Sequence, residues 1–105
     1  MIIPKSLEDV ASHLERPGKQ VLFFKADWCG DCQFIYPSMP DIEAAFPELT
    51  FIQLDRDDYL ILAEKWGVFG IPSFIVLENG RELARLVNKK RKTKEEIISF
   101  LAGLE

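Results

Sequence analysis

The stretch Val21-Leu22-Phe23-Phe24-Lys25-Ala26-Asp27-Trp28-Cys29-Gly30-Asp31-Cys32 decides how this chain folds. Four consecutive apolar residues open it, a pattern that predicts a strand buried on both faces. A helical pattern follows, so the chain turns from strand to helix at the two cysteines, the only ones it has. The first backbone N–H groups of a helix lack partners inside it, and a thiol placed there ionises more readily. Cα atoms at positions i and i+3 of a helix lie about 5–5.5 Å apart, within disulfide reach. Cys29, at the exposed end of the turn, therefore reads as the attacking nucleophile. Cys32, one turn in and more buried, reads as the resolving thiol. Gly30 and Asp31 fill the two positions between them.

Blander uses of the pair are weaker. Structural zinc needs four ligands, and the one further soft ligand in the chain is His13. A purely structural bridge across so short a loop removes little entropy from the unfolded chain. The length of 105 residues fits one domain, 1–105, with a single compact core. The net charge of −4 gives no footing for nucleic acid. No apolar run approaches the roughly 20 residues of a membrane span. Met1-Ile2-Ile3-Pro4-Lys5 shows no basic segment followed by an apolar one, so a cytosolic location is expected. Thiols there are kept reduced, which favours a catalytic role for the pair.

Outward from the cysteines the elements alternate. Ser6, with Asp9 near the capping-box position, starts a helix whose apolar face is Leu7, Val10, Ala11 and Leu14. His13 falls on its polar side and reads as solvated, and Pro17-Gly18 ends it. After the strand Gln20 to Ala26 and the cysteine turn, a helix carries Phe34, Ile35 and Met39. Pro37 should kink it and Pro40 interrupt it. Phe51-Ile52-Gln53-Leu54-Asp55 reads as a second central strand. Asp55, Asp57 and Asp58 read as helix-start charges before a helix over Tyr59 to Trp66, capped by Gly67. Phe74 to Glu78 and Arg81 to Val87 are strands joined by Asn79-Gly80, a strong hairpin signal. Asn88 to Lys92 is a basic loop, and Thr93 with Glu96 caps a last helix facing the core through Ile97, Ile98, Leu101 and Leu104. The order predicts an α/β fold. Its mixed sheet of four to five strands has helices on both faces, with two parallel pairs from crossovers and one antiparallel pair from the hairpin. Met1-Ile2-Ile3 offers a short edge strand.

Trp28-Cys29-Gly30-Asp31-Cys32 after a buried strand, a proline five residues on, Gly70-Ile71-Pro72 before a strand, and Asn79-Gly80 together resemble the thioredoxin family over nearly the whole chain. The resemblance implies the thioredoxin fold and a thiol–disulfide oxidoreductase acting mainly as a protein-disulfide reductant. It implies a cis-proline at Pro72 facing the cysteines, and Ile71 offering backbone groups to an extended substrate segment. Trp28 would shield Cys29 and line the groove, with Val87, Asn88 and Lys89 on the far side. Protein disulfides are the implied substrates, and a flavin-dependent thioredoxin reductase the implied electron donor. No cofactor or metal is expected on the chain itself.

The chain also departs from that pattern. Asp31 stands where the family has proline, and its charge should make Cys29 less acidic. The family's buried aspartate aligns with Phe23, which cannot take the proton of Cys32; Asp31 or a water is left for that task. Lys89-Lys90-Arg91-Lys92 with Lys94 hold five of the thirteen cationic residues. They read as a solvated loop or as an electropositive rim that selects acidic partners. These departures keep two alternatives open: a redoxin dedicated to one partner enzyme or small flavoprotein, and a binding module without redox chemistry.

Overall fold

Val21, Leu22, Phe23 and Phe24 are fully buried, and the strand that carries them, β1 (Lys19–Lys25), lies inside a four-stranded sheet. The computed structural model describes residues 1–104. The chain runs through α1 (Leu7–Leu14), β1, α2 (Gly30–Ile35), a 3-10 turn (Tyr36–Ser38), α3 (Met39–Ala45), β2 (Thr50–Asp55), α4 (Leu60–Lys65), β3 (Ser73–Glu78), β4 (Arg81–Leu86) and α5 (Lys94–Ala102). The sheet order is β2-β1-β3-β4. β1 pairs parallel with β2 and antiparallel with β3, placing Phe23 between Gln53 and Phe74.

Two expectations about the sheet are corrected. It holds one parallel pair instead of two, and β2 is an edge instead of a central strand. The connection through α4 passes over β1 and delivers β3 to its other side, running the opposite way; apolar pattern alone does not say which side a strand takes. Among the described residues, only Ile2 bridges the outer edge of β2. Its N–H donates to the Phe51 carbonyl (2.9 Å) and its carbonyl accepts from the Gln53 N–H (2.8 Å). The edge strand expected at Met1–Ile3 is that single bridge.

Alternation along the strands builds two cores, one on each face. Val21, Phe23, Phe51, Phe74 and Val76 meet α2, α3 and α5 through Ile35, Met39, Ile42, Ile97 and Leu101. Leu22, Phe24, Ile52, Leu54, Ile75 and Leu77 meet α1 and α4 through Val10 and Ala63. Pro37 does more than kink the second helix: it sits in the 3-10 turn that separates α2 from α3, and Pro40 opens α3. The caps form as expected, with Ser6 Oγ accepting from the Asp9 N–H (3.0 Å) and Thr93 Oγ1 from the Glu96 N–H (3.1 Å). Asn79 (φ 54°) and Gly80 (φ 76°) both take the left-handed backbone that a two-residue hairpin turn requires.

The first helix is less regular than its pattern. Leu7 and Ala11 are exposed, leaving Val10 and Leu14 to hold α1 to the sheet. His13 is not solvated: its side chain is 14% exposed, with Nε2 3.3 Å from Asp9 Oδ1. The i, i+4 spacing brings Asp9 to the imidazole and lays the ring back along the helix.

Candidate active site

Cys29 is the N-cap of α2, and its Sγ accepts from the Cys32 N–H at 3.1 Å. The two cysteines are joined as a disulfide with Cα atoms 5.2 Å apart, as the helical spacing predicts. Both are buried, Cys29 6% and Cys32 2% exposed, so the exposed first thiol expected from its position at the tip is not seen in this oxidised state. Ala26 and Ile71 pack around the pair. The Ile71 carbonyl oxygen is 3.8 Å from Cys29 Sγ, the Ile71–Pro72 bond is cis, and Pro72 is buried behind it.

A groove of about 470 Å³ opens over Cys29. Trp28, Gly30 and Asp31 line one wall, and Phe69, Ile71 and Lys89 line the other. Of the groove residues the resemblance implies, Trp28, Ile71 and Lys89 are there. Val87 instead packs beneath against the core, and Asn88 turns its backbone toward Gly70. Trp28 is 63% exposed, held in place by its Nε1–H donating to Asp57 Oδ2 at 2.7 Å and by the Arg56 guanidinium 5.4 Å over its ring. Asp55 Oδ1 accepts from the N–H groups of Asp57 (2.9 Å) and Asp58 (3.2 Å), folding the turn that presents Asp57. The aspartates read as helix charges thus anchor the indole. Sequence pattern shows the Asx-turn signal but not what the turn holds. Nothing in the local sequence pattern singles out Arg56 or Phe69, which also line the groove.

The basic run is not a continuous rim. Lys92 is fully buried, donating through Nζ to Asn88 Oδ1 (2.8 Å), the Asn88 carbonyl (3.3 Å) and the Lys90 carbonyl (2.6 Å). Arg91 pairs with Asp31 at 2.9 Å, and Lys94 with Asp41 at 3.1 Å. Lys89 and Lys90 make no ion pair among the described residues, and only Lys89 faces the groove. The run folds this way because Lys92 closes the loop on itself with its own carbonyls as acceptors. Burial pushes the Lys92 ammonium below its ordinary value of 10.5, while the charges of Glu96 and Asp31 oppose that push. Between the lowered value and 10.5 the unfolded chain binds more protons than the folded one, so this group's contribution to stability rises with pH there. Urea unfolding from pH 7 to 10.5 should therefore show the stability of wild type minus that of Lys92→Met increasing with pH. A flat or falling difference would refute the assignment.

The sheet face that α2 and α3 cover is apolar at Phe23. Phe23 is fully buried and stacks on Phe74 (centroids 5.1 Å) and Tyr36 (6.4 Å). The Tyr36 hydroxyl donates to Gln53 Oε1 at 2.9 Å. A second groove, of about 350 Å³, reaches Cys32 from the side away from Cys29's groove, lined by Lys25, Asp27, Gln33 and Tyr36. Lys25 Nζ donates to Asp27 Oδ1 at 2.7 Å, and that bond holds the ammonium above its usual range. Asp31 lines the other groove, with Cys29.

A disulfide capping a helix at the tip of a central strand, against a cis-proline loop and an open groove, defines a dithiol thiol–disulfide oxidoreductase. Known proteins agree. The thioredoxin family model matches residues 4–103. Thioredoxin H2-2 from Oryza sativa subsp. japonica is 31% identical over 94 residues, covering 89% of this chain and 70% of its own. A solved thioredoxin from Nicotiana alata aligns over 97% of this chain and 90% of its own, with a TM-score of 0.84 at 26% identity. The thioredoxin from Trypanosoma brucei brucei shares the fold with a TM-score of 0.87 at 24% identity, over 99% of this chain and 89% of its own. The chain belongs to the thioredoxin family.

Proposed function

We propose that this chain is a cytosolic protein-disulfide reductant in which Cys29 attacks and Cys32 resolves. The observation that carries the reading is the division of the two sulfurs. Cys29 lines the groove bounded by Trp28 and Ile71, whereas Cys32 lines a separate groove on the other side. A partner laid along Ile71 as an extended segment reaches Cys29 first. The Cys29 thiolate attacks one partner sulfur, the partner's S–S bond breaks, and its other sulfur leaves as a thiolate that takes up a proton. Cys32 then attacks Cys29 Sγ, forming the internal disulfide and expelling the second partner thiolate. Two electrons pass to the partner. Their replacement, with two protons, falls to a flavin-dependent thioredoxin reductase. Phe23 carries no proton acceptor and Asp31 lines the groove of Cys29, so Cys32 gives up its proton to water in its own groove beside Lys25 and Asp27.

Cys32→Ser tests this reading. The variant should hold partners from a cytosolic extract as mixed disulfides on Cys29 that dithiothreitol releases, and Cys29→Ser should hold none. Trapping that persists when Cys29 is replaced would overturn the assignment. A second reading, a redoxin dedicated to one partner, is favoured by the exposed Phe69 and the cations Arg56 and Lys89 around the groove. It requires slow reduction of insulin together with fast reduction of the trapped partner.

A further inference from the structure

Asp31 brings a negative charge into the groove of Cys29, yet it is not left alone there. Arg91, sixty residues later in the sequence, places Nε 2.9 Å from Asp31 Oδ1. Its guanidinium also lies 4.3 Å over the ring of Phe34. Asp31 and Phe34 are three positions apart on α2 and so share a face of the helix. Phe34, 49% exposed and unused by the core, forms a platform that aims the guanidinium at the carboxylate. The loop behind Arg91 is fixed as well, because its neighbour Lys92 is buried and bonded to Asn88 and Lys90. An ordinary surface ion pair is weak because two free side chains must be ordered to form it. Here both ends are already placed.

We propose that Arg91 is a positioning residue for the dithiol: it holds the Asp31 carboxylate and offsets its charge, so that the loop bordering the groove sets the thiolate fraction of Cys29. The inference rests on the reading of Cys29 as nucleophile. The other charges around Cys29 are accounted for. Arg56 is engaged by Asp57 at 3.3 Å, and Lys25 with Asp27 belongs to the groove on the Cys32 side. Lys92 is buried behind the loop and feels Asp31, and Lys89 faces the groove without an ion-pair partner among the described residues. Removing Arg91 therefore takes from Asp31 its ion-pair partner, and removing Asp31 takes from the guanidinium its charged anchor.

The test is the pH dependence of alkylation of the reduced protein by iodoacetamide between pH 5 and 9, with the modified cysteine located by mass spectrometry. Arg91→Met should alkylate at Cys29 about two- to fivefold more slowly at pH 7, with its profile moved to higher pH. Asp31→Asn should move the profile to lower pH. Arg91→Met made in the D31N background should shift the profile by less than half as much as it does alone, because the guanidinium then has no charge to offset and keeps only the Phe34 ring as a contact. Arg91→Lys should recover part of the wild-type profile, and 0.5 M salt should narrow all the differences. An R91M profile that superimposes on wild type, or a shift of equal size in the D31N background, would overturn the proposal. Alkylation that maps to Cys32 with these same shifts would overturn the nucleophile assignment while supporting the role of Arg91, so the two failures are distinct.

Discussion

Phe23→Asp, the substitution that restores the family's buried acid, lowers the unfolding free energy by about 4 kcal/mol or more instead of improving the enzyme. Phe23 is fully buried in the strand flanked on both sides, and its ring stacks between Phe74 and Tyr36. Losing a buried phenyl ring alone costs about 3–5 kcal/mol. A carboxyl group there also needs partners. The strand neighbours across from it are Gln53, whose Oε1 already accepts from Tyr36, and Phe74. Lys25, two residues on, is engaged by Asp27. Total stability of a domain this size is about 5–15 kcal/mol, so the loss consumes much of it. Thermal unfolding should drop by roughly 15 °C or more. A variant within about 1 kcal/mol of wild type in urea would show that the space around Phe23 is polar and hydrated, and that the ring is incidental.

That result bears on what the sequence could show. The β1 core, the cysteine turn, both helix caps and the Asn79-Gly80 hairpin were legible because each is set by neighbours within a few residues. A run of four apolar residues in a strand means burial on both faces, and a two-residue Asn-Gly turn dictates its own backbone angles. The placement of β2 at the edge was not legible, since it depends on which side of β1 the chain returns. The candidate site divides the same way. Cys29 and Cys32 announce themselves by spacing, and Ile71-Pro72 by its resemblance to the family's loop. Asp57 under Trp28, Arg91 on Asp31 and Tyr36 on Gln53 join residues 29, 60 and 17 positions apart. No local pattern encodes such pairs. Charge runs mislead for the same reason: Lys92 and Lys89 look alike in the sequence, but one closes its loop from inside and the other faces the groove.

Gly70→Ala is expected to cost about 1–3 kcal/mol and to lower kcat/KM for protein disulfides at least about tenfold. The reason is space, not backbone angle. A Cβ built on Gly70 would lie 2.6 Å from the Asn88 carbonyl carbon and 2.9 Å from the Lys89 nitrogen, and closer still to the Asn88 oxygen. Something must yield. The Gly70 side leads into β3, whose residues Ser73 to Leu77 are all buried and, from Phe74 on, paired with both neighbouring strands. The other side is a loop held by three bonds from one ammonium and by the Arg91–Asp31 pair. The loop gives way, which draws Lys89 off the groove and Arg91 off Asp31. Lys92→Met loosens the same loop, so the two substitutions should not add. The double variant should be at least about 0.5 kcal/mol more stable than the sum of the single losses predicts. Its alkylation profile, like that of G70A alone, should move toward that of R91M. Strict additivity in urea with an unchanged profile in G70A would mean that β3 moves instead of the loop. The claim that residues 88–92 tune the dithiol from across the groove would then fail with it.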